Sequence, residues 1–493
     1  LNPNSMRIVI VGGGTSGWMT AAAFCKTFPQ WDITMISSGD PIGVGESTTP
    51  HINQYLSYMG ITDDVFLPAA RATYKSSSRF DGFVRQGEVF HYPNGQSVLQ
   101  TVKFQEWMLA KAFHPEKLPP FSEVFMPFTT VAEAGRLPLN KDVLEPYDLS
   151  KDRSFHINGS AFSDFLRKTF CKDLKVVDSK VKSVSVKGRD IEHVVVTGGP
   201  YSLGGEKIFG DLFIDCTGQQ AVLAGSLSKW KPFSSIVTDS ALVVKTDYTN
   251  RETEMVPYTN AEAKSAGWQW TIPTYDFISR GYVFSSKFQS ESDARKEFGY
   301  DDARLIKFDN GRYERAWTGN CVSIGLAFGF IEPLESTSLF NTHHGILALM
   351  DLLQEAPLPG QFQRDRFNHN LTEHMDGWRE FVEAHYYYSR RRDTPFWNHV
   401  TDRVEYDLTG AHNDIQYLMN GNDLLSTDDP ILYILAGSGY TTVNKRLNEY
   451  FKYPELVSRR KVDEWASKHQ RVQEYAQTCP PMSVFLESTF NYG

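Results

Sequence analysis

The sequence predicts an α/β fold: a Rossmann-like dinucleotide-binding domain joined to an added, mostly helical region on the substrate side. Three observations predict it. Arg7-Ile-Val-Ile-Val11 is an almost uninterrupted apolar run, as expected of a strand in a parallel sheet buried on both faces. Gly12-Gly-Gly-Thr-Ser-Gly17 follows at once, and Trp18-Met-Thr-Ala-Ala-Ala-Phe-Cys25 then has good helix composition. Two later apolar runs, Asp211–Gly218 and Gly319–Ala327, read as further buried strands.

Taken in order, the first element carries a specific chemistry. Gly12, Gly14 and Gly17 form GxGxxG between strand and helix. Gly12 permits the tight turn, Gly14 lets backbone approach a pyrophosphate, and Gly17 lets the helix pack on the strand. Thr15 and Ser16 complete the predicted phosphate turn, with the helix dipole facing the anion. The bland alternative is a strand–helix turn with no ligand. The second strand is predicted at Asp32–Ile36, where a dinucleotide site usually ends in an acid for the ribose. Ser37-Ser38 stands there instead, and Asp40 substitutes only if its loop curls back. Lys175 to Val196 reads as alternating strands with a turn at Lys187-Gly-Arg-Asp190. Asp211-Leu-Phe-Ile-Asp-Cys-Thr-Gly218 ends in D-x-TG, which places Asp215 and Gly218 beside a cofactor; this pattern resembles FAD-binding folds of the glutathione-reductase and hydroxylase type. The predicted FAD region is therefore discontinuous, about 6–60, 155–225 and 310–360, with substrate-side insertions at about 61–154 and 226–309. From about 361 to 493 the chain is expected to form a helical cap.

Charge and composition narrow the function classes. Lys plus Arg count 50 and Asp plus Glu 59, a formal balance of 50 − 59 = −9 over 493 residues. That argues against nucleic-acid binding and against a polybasic membrane-surface protein. With 41% hydrophobic and 13% aromatic residues the chain can bury a large core. No apolar run approaches the roughly 20 residues of a membrane span. The five cysteines (Cys25, Cys171, Cys216, Cys321 and Cys479) form no CxxC pair, so a reduced, cytoplasmic protein with no metal is expected.

Gly267-Trp-Gln-Trp-Thr-Ile-Pro273 puts two tryptophans, Trp268 and Trp270, on one side of an extended strand that Pro273 ends. Paired tryptophans are usually core. This string, however, fits W-x-W-x-I-P and resembles the flavin-dependent halogenases, especially the tryptophan halogenases. Further strings support the resemblance over most of the chain. Ile42-Gly-Val-Gly-Glu-Ser-Thr-Thr-Pro50 resembles the family's flavin strap, which places Val44, Gly45, Glu46 and Ser47 against the cofactor. Ala72-Thr-Tyr-Lys-Ser-Ser-Ser-Arg-Phe80 resembles the segment bearing the family's active-site lysine, here Lys75. Phe330-Ile-Glu-Pro-Leu-Glu-Ser-Thr-Ser338 resembles the F-x-x-P-x-x-S-x-G loop, and His385–Trp397 another shared stretch.

The resemblance implies FAD supplied reduced by a separate NAD(P)H-dependent flavin reductase, oxygen and a halide ion as co-substrate, and hypohalous acid as the oxidant. A second GxGxxG for a nicotinamide cofactor is not evident, which fits external reduction. The backbone N–H groups of Ser336, Thr337 and Ser338 are expected to form the halide nest. Ser338 replaces the family's glycine and is expected to tolerate positive φ poorly and favour bromide or iodide. By resemblance Lys75 hydrogen-bonds the oxidant or forms a haloamine, and Glu335 stabilises the ring cation and accepts its proton. The resemblance also implies that Trp268 and Trp270 pack beside the flavin and keep the organic substrate from it. On their own, Lys75 would read as a solvated lysine and Glu335 as a loop carboxylate. His385-Tyr-Tyr-Tyr388 is expected in a substrate cavity or the core, and His343-His344 as two surface or core histidines. Around Gly437–Val443 no charged clamp is evident, so a small aromatic substrate, indole-like or phenolic, is expected in preference to free tryptophan. The rival readings are a flavin-dependent aromatic monooxygenase and a non-catalytic flavin-binding protein. Ser37, Ser338 and Gln219-Gln220 favour the second.

Overall fold

A computed structural model describes residues 5–39, 45–94, 101–145, 147–197, 205–402, 431–439 and 459–493. Its central sheet has six strands in the order Trp317–Thr318, Cys321–Ser323, Leu212–Asp215, Arg7–Val11, Asp32–Ser37, Lys175–Asp178. All neighbours pair in parallel except the first two, which form a hairpin. The apolar run of Arg7–Val11 is explained by its position. Ile8 and Ile10 point into the helix-covered core with Met35, while Val9 and Val11 point to the opposite face with Ile36, Phe213 and Ile191. Helix Thr15–Thr27 covers the first face, and the antiparallel sheet of Val181–Lys187, Asp190–Val196 and Glu206–Ile208 covers the other.

Gly319–Ala327 is not one strand. It divides into the turn at Gly319 (φ 57°), the strand Cys321–Ser323 and a 3₁₀ turn at Gly325–Ala327. The backbone carbonyl of Arg189 lies 1.8 Å from where a Cβ at Gly319 would sit, so the close approach forces a glycine there.

A second sheet of seven strands runs Arg304–Lys307, Ser240–Thr246, Ile278–Phe284, Gly267–Pro273, Tyr258–Lys264, Ser77–Asp81, Val89–Pro93. A small antiparallel sheet of Gly45–Ser47, Ser154–Asn158 and Thr73–Lys75 stands between the two. It brings the predicted strap and the predicted lysine onto one platform. Helix Thr337–Glu355 packs against helix Thr15–Thr27 on one side and helix Gln361–Tyr387 on the other. Beyond it the described C-terminal part is helical: Pro395–Thr401, Ile431–Gly437, Arg459–Ala476 and Met482–Thr489. Among the described residues no helix is long and apolar enough to cross a membrane.

Candidate active site

The glycine turn has the shape a pyrophosphate needs. Gly12 sits at φ 116°, and a Cβ there would meet the Cys216 carbonyl oxygen at 2.2 Å. A Cβ on Gly17 would strike the Gly12 carbonyl at 1.9 Å, so helix and strand touch there. Gly14 alone of the three faces open space. That gap before the first turn of a 13-residue helix with no side-chain cap suits a diphosphate. Gly13 is a requirement the pattern does not name: its missing side chain makes room for Ser37, whose Oγ lies 1.9 Å from the Cβ position. The Thr15 hydroxyl donates to Glu46 (3.0 Å), and Ser16 Oγ pairs with Thr342 Oγ1 (3.0 Å). These bonds tie the turn to the strap and to helix Thr337–Glu355. Burial raises the Glu46 carboxyl to about 7. Ser47 Oγ pairs with Thr259 Oγ1 at 2.9 Å, Gly45 opens the short strap strand, and Val44 lies outside the described residues.

Asp215 is fully buried, and its carboxylate accepts four bonds from its own loop: Thr217 N–H and Oγ1–H, Leu223 N–H and Ala224 N–H. Its contribution is to shape the loop in which Gly218 takes φ 67° with open space before it.

Trp268 and Trp270 lie on one side of their strand, ring centroids 6.1 Å apart, and both are buried. Trp270 is registered opposite Gly281, and its indole fills the space where a Cβ would stand. Trp270 Nε1 donates to Ser279 Oγ (3.3 Å) and Trp268 Nε1 to Glu332 (3.2 Å). Glu332, wholly buried, also accepts from the Tyr386 hydroxyl at 2.5 Å and from Thr238 Oγ1. Burial pushes its carboxyl up, against these donors.

Lys75 is not a solvated lysine. It is 1% exposed, and its Nζ donates to the Thr48 carbonyl (3.2 Å) and to Ser336 Oγ (3.3 Å). Burial depresses it to about 8, with Glu335 opposing the shift. Glu335 is 3% exposed; Ser78 Oγ donates to its Oε2 (3.3 Å), and its Oε1 lies 2.7 Å from His385 Nε2. Lys75, Ser336, Glu335 and His385 are thus one buried polar cluster. Elements more than 250 residues apart in sequence assemble it.

Ser336 holds φ 59°, ψ 30°, a left-handed conformation that non-glycine residues rarely adopt. It turns the chain from the 3₁₀ segment Pro333–Glu335 into the 19-residue helix Thr337–Glu355, which has no side-chain cap. The Thr337 hydroxyl beside it is fully buried and without a partner. A strained turn, uncapped N–H groups and an orphaned hydroxyl fit a small anion. The expectation for Ser338 changes. It lies inside the helix, outside the positive-φ set, and its carbonyl accepts from Thr342. The conformational demand falls on Ser336.

One further sequence reading resolves to its core alternative, and another is revised. His343 is a 1%-exposed core residue whose ring nitrogens have no partner, and burial lowers it to about 3. The segment Gly437–Val443 itself carries no charged residue. Residues 440–443 lie outside the described ones, but Arg390 (3.8 Å) and Lys111 (3.9 Å) approach the Cβ position of Gly439. Cations therefore stand at that segment, Lys111 from helix Thr101–Phe113 and Arg390 from just beyond helix Gln361–Tyr387. Tyr386 takes the core alternative expected for it, but its bond to Glu332, and through Glu332 to Trp268, was not foreseen. The spacing Glu332-Pro-Leu-Glu335 opposite adjacent His385-Tyr386 was the available signal.

The comparisons agree with this geometry. A family model described as Tryptophan halogenase matches residues 7–446. The tryptophan 6-halogenase SttH of Streptomyces toxytricini is 32% identical over 439 residues, 81% of this chain and 82% of that protein. The structure of apo VirX1 superposes with TM-score 0.88 at 33% identity, covering 99% of this chain and 100% of that one. BrvH, a flavin-dependent halogenase from Brevundimonas sp. BAL3, gives TM-score 0.83 at 28% identity, covering 99% and 100%. With the glycine turn, the paired tryptophans and the buried lysine–glutamate cluster in place, the chain belongs to the tryptophan halogenase family of flavin-dependent enzymes.

Proposed function

We propose that this protein halogenates an electron-rich aromatic compound, indole-like or phenolic, using FAD received in reduced form from a separate NAD(P)H-dependent flavin reductase. The observation that carries the reading is the burial of Lys75 and Glu335 around Ser336. A lysine is almost never fully buried without a role that needs its ammonium there. The residues present fit FAD at Gly12, Gly14, Thr15, Ser16 and Gly17, with Gly45, Glu46, Ser47 and the Asp215–Gly218 loop alongside. When bound, the reduced flavin supplies the two electrons that let oxygen convert halide into hypohalous acid.

The chain's own residues do the rest. The turn Ser336, Thr337, Ser338 holds the halide by the backbone N–H groups of Thr337 and Ser338, since the Ser336 N–H already donates to the Pro333 carbonyl (3.1 Å). Trp268, fixed by Glu332, and Trp270, fixed by Ser279, form a rigid wall that keeps the aromatic substrate off the flavin. The Lys75 ammonium, held by the Thr48 carbonyl and Ser336, donates a hydrogen bond to the oxidant and polarises its halogen. Glu335 stabilises the positive ring and takes its proton.

The test is a reaction with a flavin reductase, NADH, FAD and bromide against indole, phenol, indole-3-acetate and tryptophan, read by mass spectrometry. A brominated product that requires bromide supports the reading. Hydroxylated product without halide dependence would turn it toward the monooxygenase. FAD binding with no product would leave a flavin-binding protein.

A further inference from the structure

His385 and Glu335 form a pair whose proton count the geometry fixes. His385 lies in the last turn of helix Gln361–Tyr387, fully buried between the rings of Phe80 (4.8 Å) and Phe381 (5.1 Å). Its Nδ1 is 2.8 Å from the Phe381 carbonyl oxygen. A carbonyl can only accept, so Nδ1 carries a hydrogen. The 2.7 Å contact from Nε2 to Glu335 Oε1 then needs one proton between them, on nitrogen or on oxygen. With none, a nitrogen lone pair would face a carboxylate oxygen in a dry site. Glu335 Oε2 keeps one weak donor, Ser78 at 3.3 Å, and is the oxygen free to act.

We propose that His385 is the positioning residue of the proton-accepting carboxylate: it occupies Oε1, holds the shared proton there, and leaves Oε2 as the base. The assignment rests on the reading of Glu335 given above and names the residue through which it acts. The neighbouring charges are Glu332 on the same loop, Lys75 on strand Thr73–Lys75, and the Arg379–Glu383 pair (3.8 Å) on the same helix. Adjacent residues His385 and Tyr386 thus grip the two carboxylates of one loop, Tyr386 through Glu332 and the Trp268 wall, His385 through the base.

The step balances. The ring π electrons form the carbon–halogen bond as the oxygen–halogen bond of hypohalous acid breaks. The departing hydroxide takes a proton from the Lys75 ammonium and becomes water. The C–H bond then breaks, its electron pair restores the aromatic ring, and its proton passes to Glu335 Oε2. That proton, returned from the cluster, restores the Lys75 ammonium, so no net proton is gained or lost.

The experiment compares the parent with His385→Phe, His385→Gln and Glu335→Gln. Each is given reductase, NADH, FAD and bromide, with indole or ring-perdeuterated indole, and methionine to scavenge free oxidant. In the parent, deuterium leaves the rate unchanged, because proton removal follows the slow attack on the oxidant. His385→Phe keeps the packing against Phe80 and Phe381 but loses the bond. Its product per flavin oxidised should fall by about 10²-fold, with a deuterium effect clearly above unity and FAD binding unchanged. His385→Gln, whose amide N–H can again donate to Oε1, should recover most of the rate. A His385→Phe enzyme as fast as the parent, or slow with no deuterium effect, overturns the assignment. A Glu335→Gln enzyme at the parent rate would instead remove Glu335 itself from the reaction.

Discussion

Burial places opposing demands on Lys75. The ammonium is the form that can donate to an oxidant, yet the site holds it at about 8 against an ordinary value of 10.5. Product per flavin oxidised should therefore fall as pH rises through about 8, while flavin oxidation continues. The sign for stability is the reverse of a salt-bridged lysine. Between about 8 and 10.5 the unfolded chain binds the proton that the folded one has lost, so stability rises with pH across that window. Below it the folded state carries a penalty of up to about 3 kcal/mol. Lys75→Met should abolish halogenation and raise Tm at pH 7, and thermal melts at pH 7 and 10 check whether the gain disappears at the higher pH. Glu46 gives a second pH-linked expectation. Raised to about 7 and bonded to Thr15 at the glycine turn, it is anionic above that pH, close to where the pyrophosphate would lie. FAD should bind more weakly at pH 8 than at pH 6, and Glu46→Gln should flatten the difference in a fluorescence titration.

Helix Thr337–Glu355 concentrates what could and could not be read from sequence. The motif located Glu335 and Ser336 at the start of the helix, where successive N–H groups follow a loop. The strain was not legible, because φ is a property of the folded turn: expectation put it on Ser338, and the structure puts it on Ser336. Likewise the glycine turn and the buried strand declared themselves through local pattern. The lysine's burial did not, since Thr48, Ser336 and Glu335 come from other parts of the chain. The cations near Gly439 escaped for the same reason. One consequence is testable at the orphaned Thr337 hydroxyl. Thr337→Val keeps its shape and helix start but removes the donor. The KM for bromide should rise about 5- to 10-fold, the worth of one hydrogen bond, with the KM for indole unchanged. Equal halide KM values would leave the nest to the backbone alone. Ser338→Gly, in contrast, should leave the bromide-to-chloride ratio where it is, because no positive φ is relieved there.

Across the whole molecule, the C-terminal segment closes over the strand that bears Lys75. Tyr492, 8% exposed, stacks on Tyr275 at 3.5 Å and donates its hydroxyl to the Ala72 carbonyl at 2.7 Å. Arg71, between them, holds φ 49° just before strand Thr73–Lys75. It is kept there by Asp276 through its Nε (2.8 Å), by the Tyr492 carbonyl and by the face of Tyr275, 4.8 Å from its guanidinium carbon. The lysine's position therefore depends on a contact 417 residues away in sequence (492 − 75 = 417). Tyr492→Ala removes the stacked ring, the hydroxyl bond to Ala72 and one wall of the arginine's pocket together. Loss of a buried aromatic typically costs about 3–5 kcal/mol, and Tm should fall accordingly. The strand beside it should also loosen before the rest unfolds, since Arg71 loses part of what holds its left-handed backbone. Hydrogen exchange should show faster loss of protection at Thr73–Lys75 than at Arg7–Val11, and product per flavin oxidised should drop with FAD affinity intact. Uniformly faster exchange with normal coupling would make Tyr492 a general stabiliser with no particular hold on the lysine.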